Sequence, residues 1–189
     1  MSLTSTESGS DDCRAQVAAD DSPLHWRARA NAVDLALYKR VRRLAHTPKA
    51  VTLVRRYSHL GEHGAVWLAG GAAAALIDRR RRRRWLRATA AVGAAYATST
   101  SIKLAVGRQR PAVEDLPHLM ATPTGLSFPS SHTTSSFAAA RAFGTLVPSV
   151  PLQIAATAMG LSRLYLGVHY PSDVAAGAAL GTLIGSLGR

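Results

Sequence analysis

The sequence predicts an all-α integral-membrane protein, a bundle of about five apolar helices preceded by a basic amphipathic helix. Apolar residues make up 47% of the chain and aromatic residues only 6%, so Ala, Leu, Val and Gly supply most of the apolar surface. Residues 1–58 are polar and charged, whereas residues 64–189 contain long apolar stretches with few charges. Small residues dominate these stretches, as close helix packing in lipid requires. No segment shows the alternation of a β-strand.

Three segments follow from this pattern. Residues 1–23 are rich in Ser, Thr and Asp without periodic apolar positions, which predicts a disordered polar tail. Residues 24–58 predict a basic amphipathic helix, interrupted at Pro48, with an apolar face made of Val33, Leu37, Val41 and Leu44. We favour a position at the membrane interface over packing on the protein's own core. Residues 59–189 are the predicted transmembrane domain.

The five apolar helices are bounded by charged residues, Gly and Pro. They are predicted at 64–77, 86–106, 132–147, 151–168 and 172–187. The first is short of the roughly 20 residues that cross a bilayer. Six arginines at 79–84 are interpreted as an interfacial anchor between the first two helices. Because consecutive loops alternate sides, loop 108–131 and the turn at 168–172 should meet on one face, where we expect a site.

The net charge of +12 fits either nucleic acid or an anionic membrane surface. The positive residues cluster at the ends of apolar stretches, which favours anionic lipid headgroups, and no nucleic-acid partner is expected. The single cysteine, Cys13, excludes a disulfide framework and a thiolate metal site. The first 23 residues lack the apolar core of a secretory signal, so the spanning helices should direct the chain to the cell membrane as a multi-pass protein.

Ionisable residues at membrane depth are costly and are therefore candidates for function. Eight polar residues in or beside the helices should converge on one face: Lys103, Arg110, Ser130, Ser131, His132, Arg163, His169 and Asp173. Three cations, two imidazoles, hydroxyls and one carboxylate suit an anion, and phosphate fits best, because Arg offers it planar bidentate donors and Lys a point charge.

The spacing of three of these residues predicts chemistry. Asp173 follows His169 by four residues across a break at Pro171, so its carboxylate should reach one imidazole nitrogen. Such a partner fixes the tautomer and leaves the other nitrogen nucleophilic. His132, at the start of the third helix, could protonate the leaving oxygen.

Three motifs then resemble a known family. Lys103 to Pro111 fits K-x6-R-P, Pro129 to His132 fits P-S-x-H, and Ser162 to Asp173 fits S-R-x5-H-x3-D. Together they resemble the type 2 phosphatidic acid phosphatase superfamily, which shares its site with vanadium haloperoxidases. One departure is Ser131, where the family most often has Gly.

The resemblance implies a role for each motif residue. Lys103, Arg110 and Arg163 would hold phosphate oxygens, with donors added by Ser130 and the Ser131 N–H. His169 would attack phosphorus to form a phosphohistidine, Asp173 would orient it, and His132 would be general acid and then base. No metal or other cofactor is needed.

The resemblance also implies a phosphorylated lipid as substrate, because the site lies at a membrane face. The small size and the basic N-terminal helix most resemble bacterial polyprenyl-phosphate members, so we favour a polyprenyl-linked sugar phosphate, with undecaprenyl pyrophosphate and phosphatidylglycerophosphate as alternatives. A vanadium-dependent peroxidase and a non-catalytic membrane binding or transport protein are weaker alternatives. His169 and Asp173 could also merely cap a helix junction. Glu62 and His63 could line the substrate entrance, but we favour a plain interfacial position for both. Arg141 has no assigned role. Positive-inside counting places the arginine run in the cytoplasm, whereas a surface-lying N-terminal helix argues the reverse.

Overall fold

The computed structural model describes residues 23–44 and 46–189, with side chains described from residue 29 onward. In this part of the chain the secondary structure is helical, apart from one isolated bridge between Gln109 and Leu126. The α-helices, in chain order, are α1 (Pro23–Arg42), α2 (Pro48–Leu60), α3 (Ala65–Ile77), α4 (Arg82–Val106), α5 (Ser131–Phe143), α6 (Ser149–Tyr165) and α7 (Pro171–Leu187). Short 3-10 helices at Glu62–Gly64 and Arg79–Arg81 precede α3 and α4.

Helix α5 lies at the centre of the bundle and packs against α4, α6 and α7. Small residues let these helices approach closely, as is usual for helices packed in lipid. On α7 the contact with α5 is made by Gly177, Gly181 and Gly185, one turn apart. A Cβ at Gly181 would lie 2.2 Å from the backbone oxygen of Thr134, so the site admits only glycine without a shift.

The helix boundaries differ from the prediction mainly at their ends. The arginine run is helical throughout, as the 3-10 helix Arg79–Arg81 and the first residues of α4. Asp78 caps it by accepting hydrogen bonds from Arg81 N (3.2 Å) and Arg81 Nε (2.6 Å). Helix α4 therefore begins at Arg82 and ends at the predicted stop, Gly107, whose φ is 64°. Helices α5 and α6 end earlier than predicted, in short turns before Pro148 and at Gly167.

The predicted N-terminal amphipathic helix is two helices, α1 and α2, separated ahead of Pro48. Thr47 accepts a hydrogen bond from Ala50 N and caps α2. Helix α1 turns a buried polar face toward the bundle, made of Asp34, Tyr38 and Arg42. The exposed apolar residues are Val33 and Leu37 of α1 and Leu44 just beyond its end. The predicted disordered tail, residues 1–23, lies outside the described residues except for Pro23, which begins α1.

Taken one at a time, none of the helices in residues 23–44 and 46–189 is both long and apolar enough to pass a simple composition test for a membrane span. The pair Pro48–Leu60 and Glu62–Ile77 passes that test when taken together, with a bend of 43° between its halves.

Candidate active site

Four helix ends meet on one face of the bundle. The C-terminal ends of α4 and α6 and the N-terminal ends of α5 and α7 lie there, joined by the long loop that follows α4. Arg110 of that loop donates a hydrogen bond to the carbonyl oxygen of Val168 (2.6 Å), in the turn between α6 and α7. The loop and the turn therefore meet, as the alternation of loops predicted.

His169 and Asp173 form the buried centre of this face. Asp173 lies in the first turn of α7, and its Oδ2 lies 3.4 Å from Nδ1 of His169, slightly longer than a normal hydrogen bond. His169 Nδ1 has no other hydrogen-bond partner among the described residues. The carboxylate is held in place because its Oδ2 also accepts from the backbone N–H of Tyr170 (2.8 Å). The spacing of four residues across Pro171 thus brings the pair together.

The second imidazole nitrogen of His169, Nε2, points to the opposite side. It lies 3.2 Å from Nη1 of Arg110, and a guanidinium can only donate, so Nε2 is the unprotonated acceptor. Burial, reinforced by the positive charges of Arg163, Arg110 and Lys103, holds the pKa of His169 well below its usual value. The imidazole is therefore neutral near pH 7, with its proton on the nitrogen that faces Asp173.

Arg110 extends from the loop to His169, the candidate nucleophile. Its Nε donates to the carbonyl oxygen of Thr124 (2.9 Å), which fixes the guanidinium plane. Burial lowers its pKa to about 10, against the opposing effect of the Asp173 carboxylate, so Arg110 stays charged at neutral pH. It can present this charge to an anion beside His169.

Lys103 is buried at the end of α4, and its ammonium group donates to backbone oxygens of the loop. The partners are the carbonyls of Leu126 (3.3 Å), Ser127 (3.1 Å) and Pro129 (2.9 Å). Lys103 therefore shapes the loop that precedes α5 and also supplies positive charge to the cavity it lines.

Arg163 is almost fully buried near the end of α6. Its Nη1 donates to the hydroxyl of Ser58 on α2, and it also contacts the sulfur of Met120 (3.1 Å). Its Nε is buried without a hydrogen-bond partner among the described residues. An unpaired buried guanidinium N–H needs an explanation, and an anion is one that fits.

The start of α5 brings the remaining predicted residues together. Ser130 is the N-cap residue and is fully buried, with its Oγ accepting a hydrogen bond from Thr133 Oγ1 (3.0 Å). Ser131 and His132 occupy the first turn, where backbone N–H groups are free to meet an anion. The family's glycine position is thus filled by Ser131 without disturbing the helix start.

A cavity of about 150 Å³ opens onto these groups. Five predicted residues line it: Lys103, Arg110, Ser131, His132 and His169. Ser130, Arg163 and Asp173 are buried behind this lining. Its other walls are His63, Tyr96, Thr100, Pro123 and Thr124, and the His63 and Tyr96 side chains lie 2.7 Å apart through Nδ1 and Oη. His63 therefore lines the cavity, whereas Glu62 does not and lies 3.3 Å from Nδ1 of His59.

Two residues of the site were missed from the sequence. Arg108 donates from Nη1 to Asp173 Oδ1 (2.9 Å) and from Nη2 to Asp34 Oδ2 (2.6 Å). Arg108 lies only two residues before Arg110, so its place in the same polar loop was a signal. Asp34 lies 74 positions earlier in α1, and the sequence contains no indication that the two residues meet.

The chain is similar to known proteins over most of its length. A family model described as the PAP2 superfamily matches residues 84–188. Decaprenylphosphoryl-5-phosphoribose phosphatase of Mycobacterium tuberculosis strain H37Rv is 43% identical over 145 residues, which cover 76% of this chain and 81% of that protein. The protein of the same name from Mycolicibacterium smegmatis is 46% identical over 136 residues, covering 71% and 74%.

A solved structure has the same fold. The transmembrane PAP2 type phosphatidylglycerolphosphate phosphatase from Bacillus subtilis superposes with a TM-score of 0.71, covering 90% of this chain and 87% of that chain at 23% identity. The chain belongs to the PAP2 superfamily. It is an all-helical membrane protein and a phosphomonoester hydrolase of the lipid phosphatase type.

Proposed function

We propose that the protein removes the 5-phosphate of decaprenylphosphoryl-5-phosphoribose, a step of cell-wall precursor synthesis. The observation that carries this proposal is the extent of the similarity to the two mycobacterial phosphatases of that name. The 145 aligned residues exceed the family match at 84–188, so the similarity extends through α2 and is not confined to the shared catalytic motifs.

The first chemical step would use His169. Its Nε2 attacks phosphorus, forming an N–P bond while the bond from phosphorus to the sugar oxygen breaks. Asp173 accepts the Nδ1–H and stabilises the positive charge that develops on the imidazole. His132 donates a proton to the leaving oxygen, which departs as the ribose hydroxyl.

The second step would return the enzyme to its starting state. His132, now unprotonated, takes a proton from water, whose oxygen attacks phosphorus as the N–P bond breaks. Inorganic phosphate leaves, and His169 is again neutral. Arg110, Arg163, Lys103 and the N–H groups at the start of α5 would stabilise the trigonal-bipyramidal transition state in both steps, the electrostatic contribution that usually dominates.

The lining of the cavity supports entry of a headgroup from the side of His63 and α4. Tyr96, Thr100 and Lys103 follow one face of α4 and lead from His63 to the buried cations. Hydroxyl and imidazole groups at the entrance suit a sugar, because they can exchange hydrogen bonds with its hydroxyls. The phosphate would lie at the inner end and the lipid-bearing carbon toward the membrane.

The outer surface supports a multi-pass protein of the cell membrane. Exposed large apolar side chains occur on α3, α4, α6 and α7, among them Ile77 (84% exposed) and Leu104 (70%). Such surface on a soluble monomer would be unusual. Helix α1 would lie at the interface with Val33 and Leu37 toward the acyl chains. Its basic residues Lys39 and Arg40 would meet anionic headgroups.

Phosphate release by purified protein from a panel of phosphorylated compounds tests the proposal. The panel contains decaprenylphosphoryl-5-phosphoribose, undecaprenyl pyrophosphate, phosphatidylglycerophosphate and lipid-free ribose 5-phosphate, in the same detergent. We expect the highest kcat/KM for the first and little release from ribose 5-phosphate. Preference for either of the other lipids would overturn the substrate assignment. No release from any lipid phosphate would overturn the enzymatic function.

A further inference from the structure

The N-terminal helix α1 contributes a carboxylate to the structure around the nucleophile. Asp34 is 5% exposed, although it lies on a helix whose neighbouring apolar residues face outward. Its Oδ2 accepts hydrogen bonds from Arg108 Nη2 (2.6 Å) and from Ser172 Oγ (2.5 Å). Its Oδ1 accepts from the backbone N–H of Ser172 (2.9 Å). Burying a carboxylate is costly unless it is paired and hydrogen-bonded, and here both oxygens have partners.

Arg108 connects this carboxylate to Asp173. Its Nη2 donates a hydrogen bond to Asp34 Oδ2, and its Nη1 donates one to Asp173 Oδ1. The guanidinium carbon lies 4.1 Å from the centre of the Tyr170 ring. Burial would lower the pKa of Arg108, but the hydrogen bonds and charges of Asp34 and Asp173 outweigh burial and raise it. The single positive charge is therefore shared between two carboxylates.

Asp34 also holds the first turn of α7. Ser172 is the second residue of that helix, and its N–H is one of the groups that a helix leaves without an internal partner. Asp34 lies in another part of the chain and accepts the hydrogen bond of this N–H, as a capping side chain would. The same turn carries Asp173, so Asp34 fixes both the backbone beneath the catalytic carboxylate and the cation beside it.

We infer that Asp34 is a positioning residue for phosphoryl transfer, acting through Arg108 and Asp173 on His169; this inference rests on the proposed function. By occupying one side of Arg108, Asp34 prevents that cation from turning fully onto Asp173 and neutralising it. Asp173 then keeps enough negative charge, in the right direction, to hold the Nδ1–H of His169. Loss of Asp34 should slow the chemical step without weakening substrate binding.

A double-mutant cycle with Asp34→Asn and Arg108→Met tests this inference in the full-length protein. We expect Asp34→Asn to lower kcat by roughly 10- to 100-fold, as removal of outer partners of catalytic or metal-bound groups often does, with KM changed less than twofold. In the Arg108→Met background, Asp34→Asn should cause no further loss. Each kcat is calculated per active site, and the concentration of active sites is measured by titration with orthovanadate. Unfolded protein therefore does not lower the measured kcat.

Tyr38→Phe is the matched control, because it lies one turn further along the same buried face of α1. It removes the hydrogen bonds from Tyr38 Oη to the carbonyl oxygens of Gly167 (3.2 Å) and Leu116 (3.5 Å) and its interaction with the Arg42 side chain, none of which involves Asp34 or Arg108. We expect its kcat within twofold of wild type. A second variant, Asp34→Glu, keeps the charge and should lose less activity than Asp34→Asn.

Three results would overturn the inference. They are a wild-type kcat in Asp34→Asn, an equal loss on adding Asp34→Asn to Arg108→Met, and a loss in Tyr38→Phe as large as that in Asp34→Asn. Any of these in a protein whose wild type releases phosphate leaves the proposed function intact. A wild type without phosphatase activity would instead overturn the proposed function itself.

Discussion

His169 Nδ1 lies 3.4 Å from Asp173 Oδ2, across the break between α6 and α7. The two residues are four positions apart, but Pro171 begins a new helix between them, so the carboxylate approaches the ring from the first turn of α7. The ring keeps its other nitrogen for the cavity. Distances of this kind in a site without substrate often shorten when the reacting complex forms.

Asp173→Asn should lower kcat by roughly 10²- to 10⁴-fold, because an amide can hold the wrong imidazole tautomer and does not stabilise an imidazolium. Steady-state phosphate release measures this effect. The fold should survive, since an Asn oxygen can still accept the Tyr170 N–H. A variant with more than a third of wild-type kcat would contradict the orienting role of Asp173.

His132→Ala should discriminate between substrates by their leaving groups. Turnover of a lipid phosphate needs protonation of a poor leaving oxygen, so we expect a loss of roughly 10²- to 10⁴-fold. With an aryl phosphate whose leaving group needs no proton, the first step should remain fast and only the hydrolysis of the intermediate should be slow. A burst of phenol release followed by slow turnover is the expected result. Equal losses with both substrates and no burst would contradict the acid–base role.

Arg110→Lys should impair the enzyme although charge is conserved. The guanidinium bonds Thr124, Val168 and His169 at once, and a lysine ammonium cannot reproduce this planar arrangement. We expect kcat/KM to fall by at least about 10-fold and inhibition by orthovanadate to weaken in parallel. Wild-type inhibition by orthovanadate in this variant would show that Arg110 does not hold the phosphoryl group.

The acid limb of the pH–rate profile should reflect the surroundings of His169. Burial and nearby positive charges lower its pKa, so the neutral nucleophile persists below the ordinary value of about 6.5 and protonation reduces the rate only at lower pH. Arg110→Met removes one of those charges and should move the limb to higher pH. Arg110→Lys keeps the charge and should move it less. The wild type, Arg110→Met and Arg110→Lys are compared with the same substrate, so the ionisation of the substrate contributes equally to all three profiles. An acid limb that does not move in Arg110→Met would contradict its assignment to His169.

Gly181→Ala should destabilise the bundle. The added Cβ would lie 2.2 Å from the backbone oxygen of Thr134, so α7 would have to move away from α5, at a cost of roughly 1–3 kcal/mol. Gly70→Ala on α3 is the matched control, because a Cβ there meets nothing within 4 Å. It should be neutral or stabilising by up to about 1 kcal/mol. Thermal unfolding in detergent compares the two, and equal Tm values would contradict the close packing of α5 and α7.

Much of the fold could be predicted from the sequence because its signals are local. Apolar length, Gly107 and Pro171 determine helix ends directly, and the alternation of loops brings Arg110 and His169 to one face. The ends of α5 and α6 were placed too late, because Gly144 and Gly167 end the helices before the next proline does.

The contacts that α1 makes with the bundle could not be predicted in the same way. The apolar residues favoured a position at the interface over packing on the core, but they carried no information about the polar face that packs against the bundle. The partners of Asp34 are Arg108 and Ser172, far away in sequence, and a single chain carries no signal for such a pair. The motif residues were identified because the spacing within each motif is local. The residues that support them, Asp34 and Arg108, were not identified, because they belong to no local pattern.

Trapping of the covalent intermediate tests the central claim most directly. His132→Ala protein is mixed with a ³²P-labelled aryl phosphate, quenched in alkali and digested. The expected result is one acid-labile, alkali-stable phosphopeptide with the phosphoryl group on His169, absent when His169→Ala is also introduced. Label on another residue, or full turnover by His169→Ala, would contradict the account.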